Sequence, residues 1–265
     1  YIDGAPSARQ QLAVSRAIAK WRSVIVGNTG ASRVKLDAQN CGRNWTPAVD
    51  EMVTNVLILA RIGPIDGTGG IGGDAGPCVL HSSTGLTSFG TMLFDSADLA
   101  SLESSGLIDG VVAHEMGHVL GVGSLWTEKN LITDLNMADP IFVGASAKQQ
   151  FALLLSGYSG RPVPVENVGG SGSTGGHWRE SVFRNELMTS VINSGTNPLS
   201  RVTVASLKDV GYDVSFVGAD AFSITSQLMS SASPFGVQWT NDIHVTPLFT
   251  SDWQGRLSRW NSRGR

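Results

Sequence analysis

The most constraining stretch of this chain covers residues 107–123, LIDGVVAHEMGHVLGVG. An α-helix advances about 3.6 residues per turn, so His114 and His118 share one helix face and can bind one metal ion together. Glu115 follows His114 directly, and its carboxylate borders the same point. Two neutral nitrogen ligands beside a carboxylate are typical of zinc hydrolases, in which the metal acidifies a bound water and the carboxylate takes its proton.

The surrounding residues support a helix at this position. Gly121 and Gly123 are natural stops after the motif. A broad apolar face is formed by Leu107, Ile108, Val111, Val112, Val119 and Leu120. The HExxH pattern alone is loose, and a histidine pair on a helix is more often structural, so the zinc site needs further support from the chain.

Length, charge and hydropathy set the class of protein. The 265 residues can bury one large core or form two subdomains around a cleft. The net charge is −3, and the one basic cluster is the C-terminal RLSRWNSRGR, so we expect no nucleic-acid partner. No apolar run reaches the roughly eighteen residues that span a bilayer, so we expect no transmembrane segment.

Composition and cysteine usage favour a secreted, extracellular protein. Charged residues make up only 15% of the chain, whereas 32 residues are glycine. The two cysteines, Cys41 and Cys78, are even in number, and we expect them to form one disulfide. In the chain-entropy model a closed loop of about 38 residues stabilises the fold by about 3–4 kcal/mol.

Periodicity predicts the elements around the central helix. We predict further helices over 7–22, 95–104, 145–156 and 200–210. We predict strands over 23–26, 52–60, 78–81 and 91–94. Residues 125–143 are expected to be mostly loop, 169–176 a flexible link, and the sequence beyond Gly218 a loosely structured wrap. The glycine-rich stretch over 66–76 lacks the Lys-Ser/Thr of a phosphate-binding loop, and we interpret it as a mobile loop. Its two carboxylates, Asp66 and Asp74, are candidate Ca²⁺ ligands.

A catalytic zinc ion needs a third protein ligand and one open position. In most metzincins the motif continues as HExxHxxGxxH, so that a glycine turn brings a third histidine to the metal. Here Gly121 holds the glycine position, but Ser124 stands where the histidine would be. The remaining candidates are His81, His177, His244, Asp134 and Asp139.

Several stretches resemble the leishmanolysins, peptidase family M8, a metzincin branch in which an insertion separates HExxH from its third histidine. HWRESVFRNELMTS, which begins at His177, is similar to the family segment that carries the third histidine and the Met-turn. IGPIDGTGGIGGDAGPC, MLFDSADL, HEMGHVLGVGSLW and LSRVTVASLKDVGYDV also resemble the family. The eukaryotic members are cysteine-rich, so their disulfide framework and any membrane anchor are not carried over to a chain with two cysteines.

This resemblance implies the roles of the site residues and the fold. His114, His118 and His177 would bind zinc, Glu115 would be the general base, and Met188 would pack beneath the metal without binding it. His81 and His244 lack a partner motif, and we interpret them as structural or surface residues. The implied fold is α+β and of metzincin type. A twisted sheet and the HExxH helix would form an N-terminal catalytic subdomain over 1–121. An irregular C-terminal subdomain over 122–265 would carry the third histidine, the Met-turn and a C-terminal extension.

The implied activity is that of a zinc-dependent endopeptidase. A protein or peptide substrate would bind in extended form between the subdomains, along residues 91–94 as an open edge strand. We expect a monomer. Tyr158 and Tyr212 are both candidate oxyanion donors, and the sequence does not choose between them.

Two other functions use the same ligands. A zinc amidase that acts on a specialised peptide, such as a cell-wall cross-link, would keep every residue named above. A non-catalytic, zinc-stabilised adhesion module would keep the histidines but would be expected to lose the glutamate. The presence of Glu115 argues against the adhesion module, whereas only substrate assays separate the amidase from a broad protease.

Overall fold

The computed structural model describes residues 2–3, 5–135, 138–155, 160–170, 172–224, 236–238 and 241–260. Within these ranges the strands are β1 (Ile2–Asp3), β2 (Ser32–Leu36), β3 (Val49–Val53), β4 (Leu57–Gly63), β5 (Gly73–His81), β6 (Thr87–Asp95), β7 (Ile132–Thr133), β8 (Ile141–Phe142), β9 (Val163–Pro164), β10 (Val191–Asn193), β11 (Gly236–Gln238), β12 (Phe249–Ser251) and β13 (Leu257–Arg259). The helices are α1 (Ala8–Val24), α2 (Leu99–Ser104), α3 (Ile108–Leu120), α4 (Ala145–Leu154), α5 (Glu180–Phe183) and α6 (Arg201–Val210).

The main sheet has six strands in the order β1-β4-β6-β5-β12-β13. Strands β1, β4 and β6 run parallel, and β5 is antiparallel to β6. Helix α3 packs against β5 and β6, and α1 packs against α3. The indole N–H of Trp21 fixes this helix pair by donating to the carbonyl of Ala113 over 2.9 Å. Sheet and helices together give the mixed α and β content that the sequence predicts.

The strand expected at an open edge lies inside the sheet. Residues 91–94 belong to β6, which pairs with β4 on one side and with β5 on the other. The prediction that these residues align a substrate is therefore wrong, because both of their backbone edges are already paired.

Two predicted strands differ from the observed elements. The first two residues of 23–26 belong to α1, because Trp21 and Val24 continue the buried stripe of this helix, and Ile25 then forms an isolated bridge. The apolar run over 52–60 is divided between β3 and β4, which belong to different sheets. The carbonyl of Asn55 at this break accepts a hydrogen bond from the Thr29 hydroxyl over 3.1 Å.

The glycine-rich loop is shorter than predicted, since β5 already begins at Gly73. Its first part is held by the carboxylate of Asp95, which accepts hydrogen bonds from three successive backbone N–H groups beginning at Ile65. Asp95 also accepts the N–H of Ala97 over 2.8 Å. Because Asp95 caps these turns, α2 begins at Leu99 rather than at residue 95.

The C-terminal region joins the main sheet instead of forming a loose wrap. Strand β12 pairs parallel with residues 79–81 of β5, and β13 pairs antiparallel with β12. The expected division of the chain at residue 121 stays a prediction. Strands β12 and β13 lie after that residue, and they extend the sheet whose other strands lie before it. The aromatic residues Phe235 and Trp239 lie outside the described residues.

A disulfide joins Cys41 and Cys78, whose Cα atoms are 5.5 Å apart. Cys78 lies on β5 and Cys41 between β2 and β3, so the bond ties the β2–β3 pair to the main sheet. Both cysteines belong to a small second core whose other buried members are Val34, Leu36, Val49, Val53, Leu59, Val79 and Phe89. None of the described helices has the length and apolar character to cross a membrane.

Replacing both cysteines (Cys41→Ala with Cys78→Ala) should lower the free energy of unfolding by about 3–4 kcal/mol, because the unfolded chain regains loop entropy. Urea denaturation of both proteins, with and without reductant, measures this. Reductant should lower the midpoint of the wild type and leave that of the double variant unchanged. Equal midpoints for the two oxidised proteins would contradict the role of the bond.

Candidate metal centre

Helix α3 carries the HExxH motif through the interior. Every residue from Val111 to Leu120 is buried, including the polar residues His114, Glu115 and His118. The helix ends at Gly121, which adopts the left-handed conformation with φ 109°. The N–H of Val122 then bonds to the carbonyl of Gly117 over 3.0 Å and closes the last turn. The chain therefore leaves the direction of the helix within one turn after His118.

Three histidine side chains converge at one point. The Nε2 atoms of His114 and His118 are 2.9 Å apart, and the Nε2 atom of His177 lies 3.2 Å and 3.1 Å from them. All three side chains are fully buried. The structure thus brings together the three residues that the resemblance assigns to zinc, although His177 lies in a different part of the chain.

Backbone carbonyls orient each imidazole ring through its Nδ1 atom. The pairs are His114 with Leu187 (2.7 Å), His118 with Val122 (2.8 Å) and His177 with Ser173 (3.1 Å). A carbonyl only accepts, so each Nδ1 carries a proton, and each Nε2 can present a lone pair to a metal ion at the shared point. Partners of this kind fix the tautomer and orientation of metal-binding histidines.

The donor set fits a zinc ion. Three buried lone pairs directed at one another repel unless a cation lies among them. Tetrahedral ligands about 2.0–2.1 Å from zinc lie about 3.3 Å from each other, close to the 2.9–3.2 Å between these Nε2 atoms. Zinc bound there would be held by His114, His118 and His177.

The chain reaches His177 through packed turns rather than a flexible link. Gly175 and Gly176 are buried, and the carbonyl of Gly176 lies directly against Gly123. A Cβ on Gly123 would overlap that carbonyl, and its φ of 75° also favours glycine. The contact between these two glycine backbones therefore sets His177 beside the end of α3.

The side chain of Met188 packs against α3 at Gly117, within the HExxH motif. A Cβ on Gly117 would lie 2.7 Å from the Met188 sulfur, so the glycine inside the HExxH motif makes room for this side chain. The buried carboxylate of Glu186 accepts the N–H of Met188 over 2.6 Å and also the Thr203 hydroxyl. Thr203 in turn accepts the indole N–H of Trp178 over 2.8 Å. Sequence analysis missed Glu186 and Thr203, which have no motif of their own.

Glu115 is fully buried beside the three histidines. Neither of its carboxylate oxygens has a hydrogen-bond partner among the described residues. Burial raises the pKa of Glu115 well above its usual value, and the negative charges of Asp242 and Asp74 raise it further. A buried carboxylate with open acceptor positions is suited to holding and passing on a proton.

The structure adds Asp242, which sequence analysis missed. Its Oδ2 atom lies 3.1 Å from the Nε2 of His114, 3.0 Å from that of His177 and 3.7 Å from that of His118. These four residues form a group whose ligand atoms all lie within 4.8 Å of one another. Asp242 lies 65 residues beyond His177, at no spacing that a motif defines, so the sequence carries no signal for it.

The charges of this group act on each other. Burial opposes the negative charge of Asp242, but the charge of His177 and hydrogen bonds from the imidazoles outweigh it and hold the pKa of Asp242 well below its usual range. Burial lowers the pKa of His118 to about 4. Burial also disfavours a charged His177, yet the neighbouring Asp242 raises its pKa.

The other candidate histidines make structural contacts. His81 is buried, and its Nε2 atom lies 3.2 Å from the carbonyl of Asn55. Burial lowers the pKa of His81, which keeps it neutral. The Nε2 atom of His244 lies 2.9 Å from the carbonyl of Cys41.

The candidate acids and tyrosines also lie elsewhere. Asp139 is 73% exposed and pairs with Arg179, and Asp134 lies at an exposed turn. The buried hydroxyl of Tyr212 lies beside Thr87. Tyr158 lies outside the described residues.

The expected calcium ligands are not brought together. Asp74 forms an ion pair with Arg43 over 2.7 Å, whereas Asp66 accepts the backbone N–H of Ile71 over 3.1 Å. Each carboxylate is thus used by protein groups, and calcium gains no support from the described part of the chain.

Comparison with protein families gives a match. The family model of peptidase M8, leishmanolysin, matches residues 28–230, well over half of the chain. The matched range includes the HExxH helix, His177 and the Met-turn. No curated protein matches the chain.

Replacing Gly123 by alanine should destabilise the protein and reduce its zinc content, because the new Cβ would push the Gly176 carbonyl and His177 away. The matched control is Gly106→Ala, since Gly106 has the same φ of 75° but nothing within 4 Å of an added Cβ. The control should lower the free energy of unfolding by about 1 kcal/mol, because alanine disfavours this left-handed backbone conformation. The Gly123 variant should lower the free energy of unfolding by about 1–3 kcal/mol more than the control, because the added Cβ overpacks the site. Equal losses of stability and equal zinc contents would refute the contact.

Proposed function

Because the chain belongs to the leishmanolysin family of zinc metallopeptidases, we propose that it is a zinc-dependent endopeptidase with Glu115 as its general base. The observation that carries the proposal is the convergence of three imidazole Nε2 atoms within 3.2 Å, beside a buried carboxylate that lacks a described partner. The matched family supports peptide hydrolysis, and the donor set suits zinc.

Each side chain has a distinct part in the proposed reaction. Zinc held by the three histidines would supply Lewis acidity, which would bring the pKa of water from about 15.7 toward about 7 and polarise a peptide carbonyl. His114, His118 and His177 stay neutral ligands because their Nδ1 protons are held by backbone carbonyls. Glu115 takes a proton from the attacking water and delivers it to the leaving amine.

Burial prepares Glu115 for this exchange. A carboxylate with an ordinary pKa is a weak acid–base catalyst near neutral pH, whereas one whose pKa is raised can both accept and release a proton. Burial of Glu115 and the nearby charge of Asp74 act in that direction.

A substrate in extended form would lie along β5. The N–H and carbonyl of Ala75 lie on the side of β5 that faces away from β6, and both form strand-like hydrogen bonds there. This edge leads to Glu115, because Gly73 at its start lies against the Glu115 carboxyl group. A peptide added there would gain main-chain hydrogen bonds while its scissile bond approached the metal centre.

The broader expectations remain part of the proposal. The disulfide suits an extracellular protein, because such bonds persist in oxidising compartments. We propose that the protein is secreted, that it acts as a monomer, and that the cleft lies between parts divided near residue 121.

Glu115→Gln should retain one zinc ion per chain and lose about 10²–10⁴-fold in peptide hydrolysis, because a general base is removed without removing a ligand. His177→Ala should lose both zinc and activity. Metal analysis and cleavage of a peptide library, each with and without a chelator, measure these outcomes.

The matched control is His81→Ala, which removes a buried histidine outside the cluster and should keep its zinc. If Glu115→Gln cut peptides at the wild-type rate, the role of Glu115 would be wrong. Full zinc retention by His177→Ala would remove His177 from the ligand set.

A further inference from the structure

The segment over residues 241–246 lies along the side of β5 that faces away from β6. The N–H of Ala75 donates to the carbonyl of Asp242 over 2.8 Å, and the N–H of His244 donates to the carbonyl of Ala75 over 2.8 Å. The segment runs parallel to β5, and β12 continues the pairing further along. The backbone groups that an extended peptide would use are therefore taken by the chain itself.

Glycines from separate parts of the chain make room for this segment. An added Cβ would meet main-chain atoms of Asn241 or His244 at Gly172 and Gly76, and side chains of Ile243, His244 or Thr246 at Gly176 and Gly42. The path is thus shaped to the segment on more than one side, as expected of a fitted occupant rather than of a loose tail.

Side chains anchor the segment as well. The His244 ring lies between the carbonyl of Cys41, 2.9 Å from its Nε2 atom, and the carboxylate of Asp74, 3.4 Å from its Nδ1 atom. The Thr246 hydroxyl donates to the carbonyl of Pro77 over 3.3 Å. Val245 points away from these contacts and is 83% exposed.

Asp242 lies where a catalytic centre needs an open position. A hydrolytic zinc site has three protein ligands and leaves the fourth position to water or substrate, whereas a fourth side chain closes it. The Asp242 Oδ2 atom lies within 3.1 Å of two of the three Nε2 atoms. The three histidines, Glu115 and Asp242 are all fully buried, so a peptide cannot reach them in this conformation.

We propose that the segment over 241–246 is an intramolecular inhibitor, in which Asp242 supplies the fourth metal ligand and the main chain occupies the strand position of a substrate. The intact chain then hydrolyses peptides only in the fraction of molecules in which this segment has left β5, so its basal activity is low. This inference rests on the proposed function, because it names the regulation of the same site.

Binding of acetohydroxamate, a small chelating ligand for zinc, tests whether the fourth position is closed. Calorimetry would compare zinc-loaded full-length wild type with Asp242→Ala, Asp242→Asn and the control Val245→Ala. We expect both Asp242 variants to keep one zinc ion and to bind the hydroxamate at least tenfold more tightly than the wild type. The Val245 variant should bind like the wild type.

Equal hydroxamate affinity in the wild type and the Asp242 variants would overturn the proposal, as would loss of zinc from both variants, which would make Asp242 a permanent structural ligand. If Asp242→Ala does not fold, Asp242→Asn, which keeps the side-chain shape, decides the question. Peptide cleavage is measured separately. Tighter hydroxamate binding without peptide cleavage would support the closure and refute the peptidase activity.

Discussion

Three imidazole lone pairs that meet at one buried point are the constraint on which the rest of this structure depends. Such an arrangement is unfavourable without a cation, and zinc is the ion that nitrogen ligands at this spacing suit. Binding of the metal would therefore contribute to the stability of the fold itself, since the site does not exist in the unfolded chain. The elements around the site are arranged so that histidines far apart in sequence share this point.

Small residues allow that arrangement. Gly117 admits Met188 beneath the helix, and Gly123 admits the backbone of Gly176 just before the third histidine. Backbone carbonyls then fix each ring, while Glu186 ties the Met-turn to Thr203 and through it to Trp178. The proposed chemistry lies in four side chains, whereas their positions depend on contacts that carry no chemical signature in the sequence.

The sequence predicts those parts of the site that follow from local periodicity. Four-residue spacing puts His114 and His118 on one helix face, and Glu115, next to His114, is predicted to border the same point. His177 and Met188 are predicted only through the resemblance to a family, because nothing local shows that the chain returns to α3. Asp242 is not predictable in this way, since its position depends on pairing with β5. The edge position that the resemblance implies for residues 91–94 is wrong, because the order of strands in a sheet is a tertiary property that local sequence does not determine.

The most direct test of the account is zinc K-edge X-ray absorption of the intact, zinc-loaded protein. The account predicts one zinc ion with three imidazole ligands and one oxygen ligand at about 2.0–2.1 Å. The variant His177→Ala should retain too little zinc to give such a spectrum, whereas the imidazole scattering should stay at three rings when Asp242 is replaced. A spectrum of the intact protein with two or fewer imidazoles would contradict the central claim that His114, His118 and His177 hold the metal together.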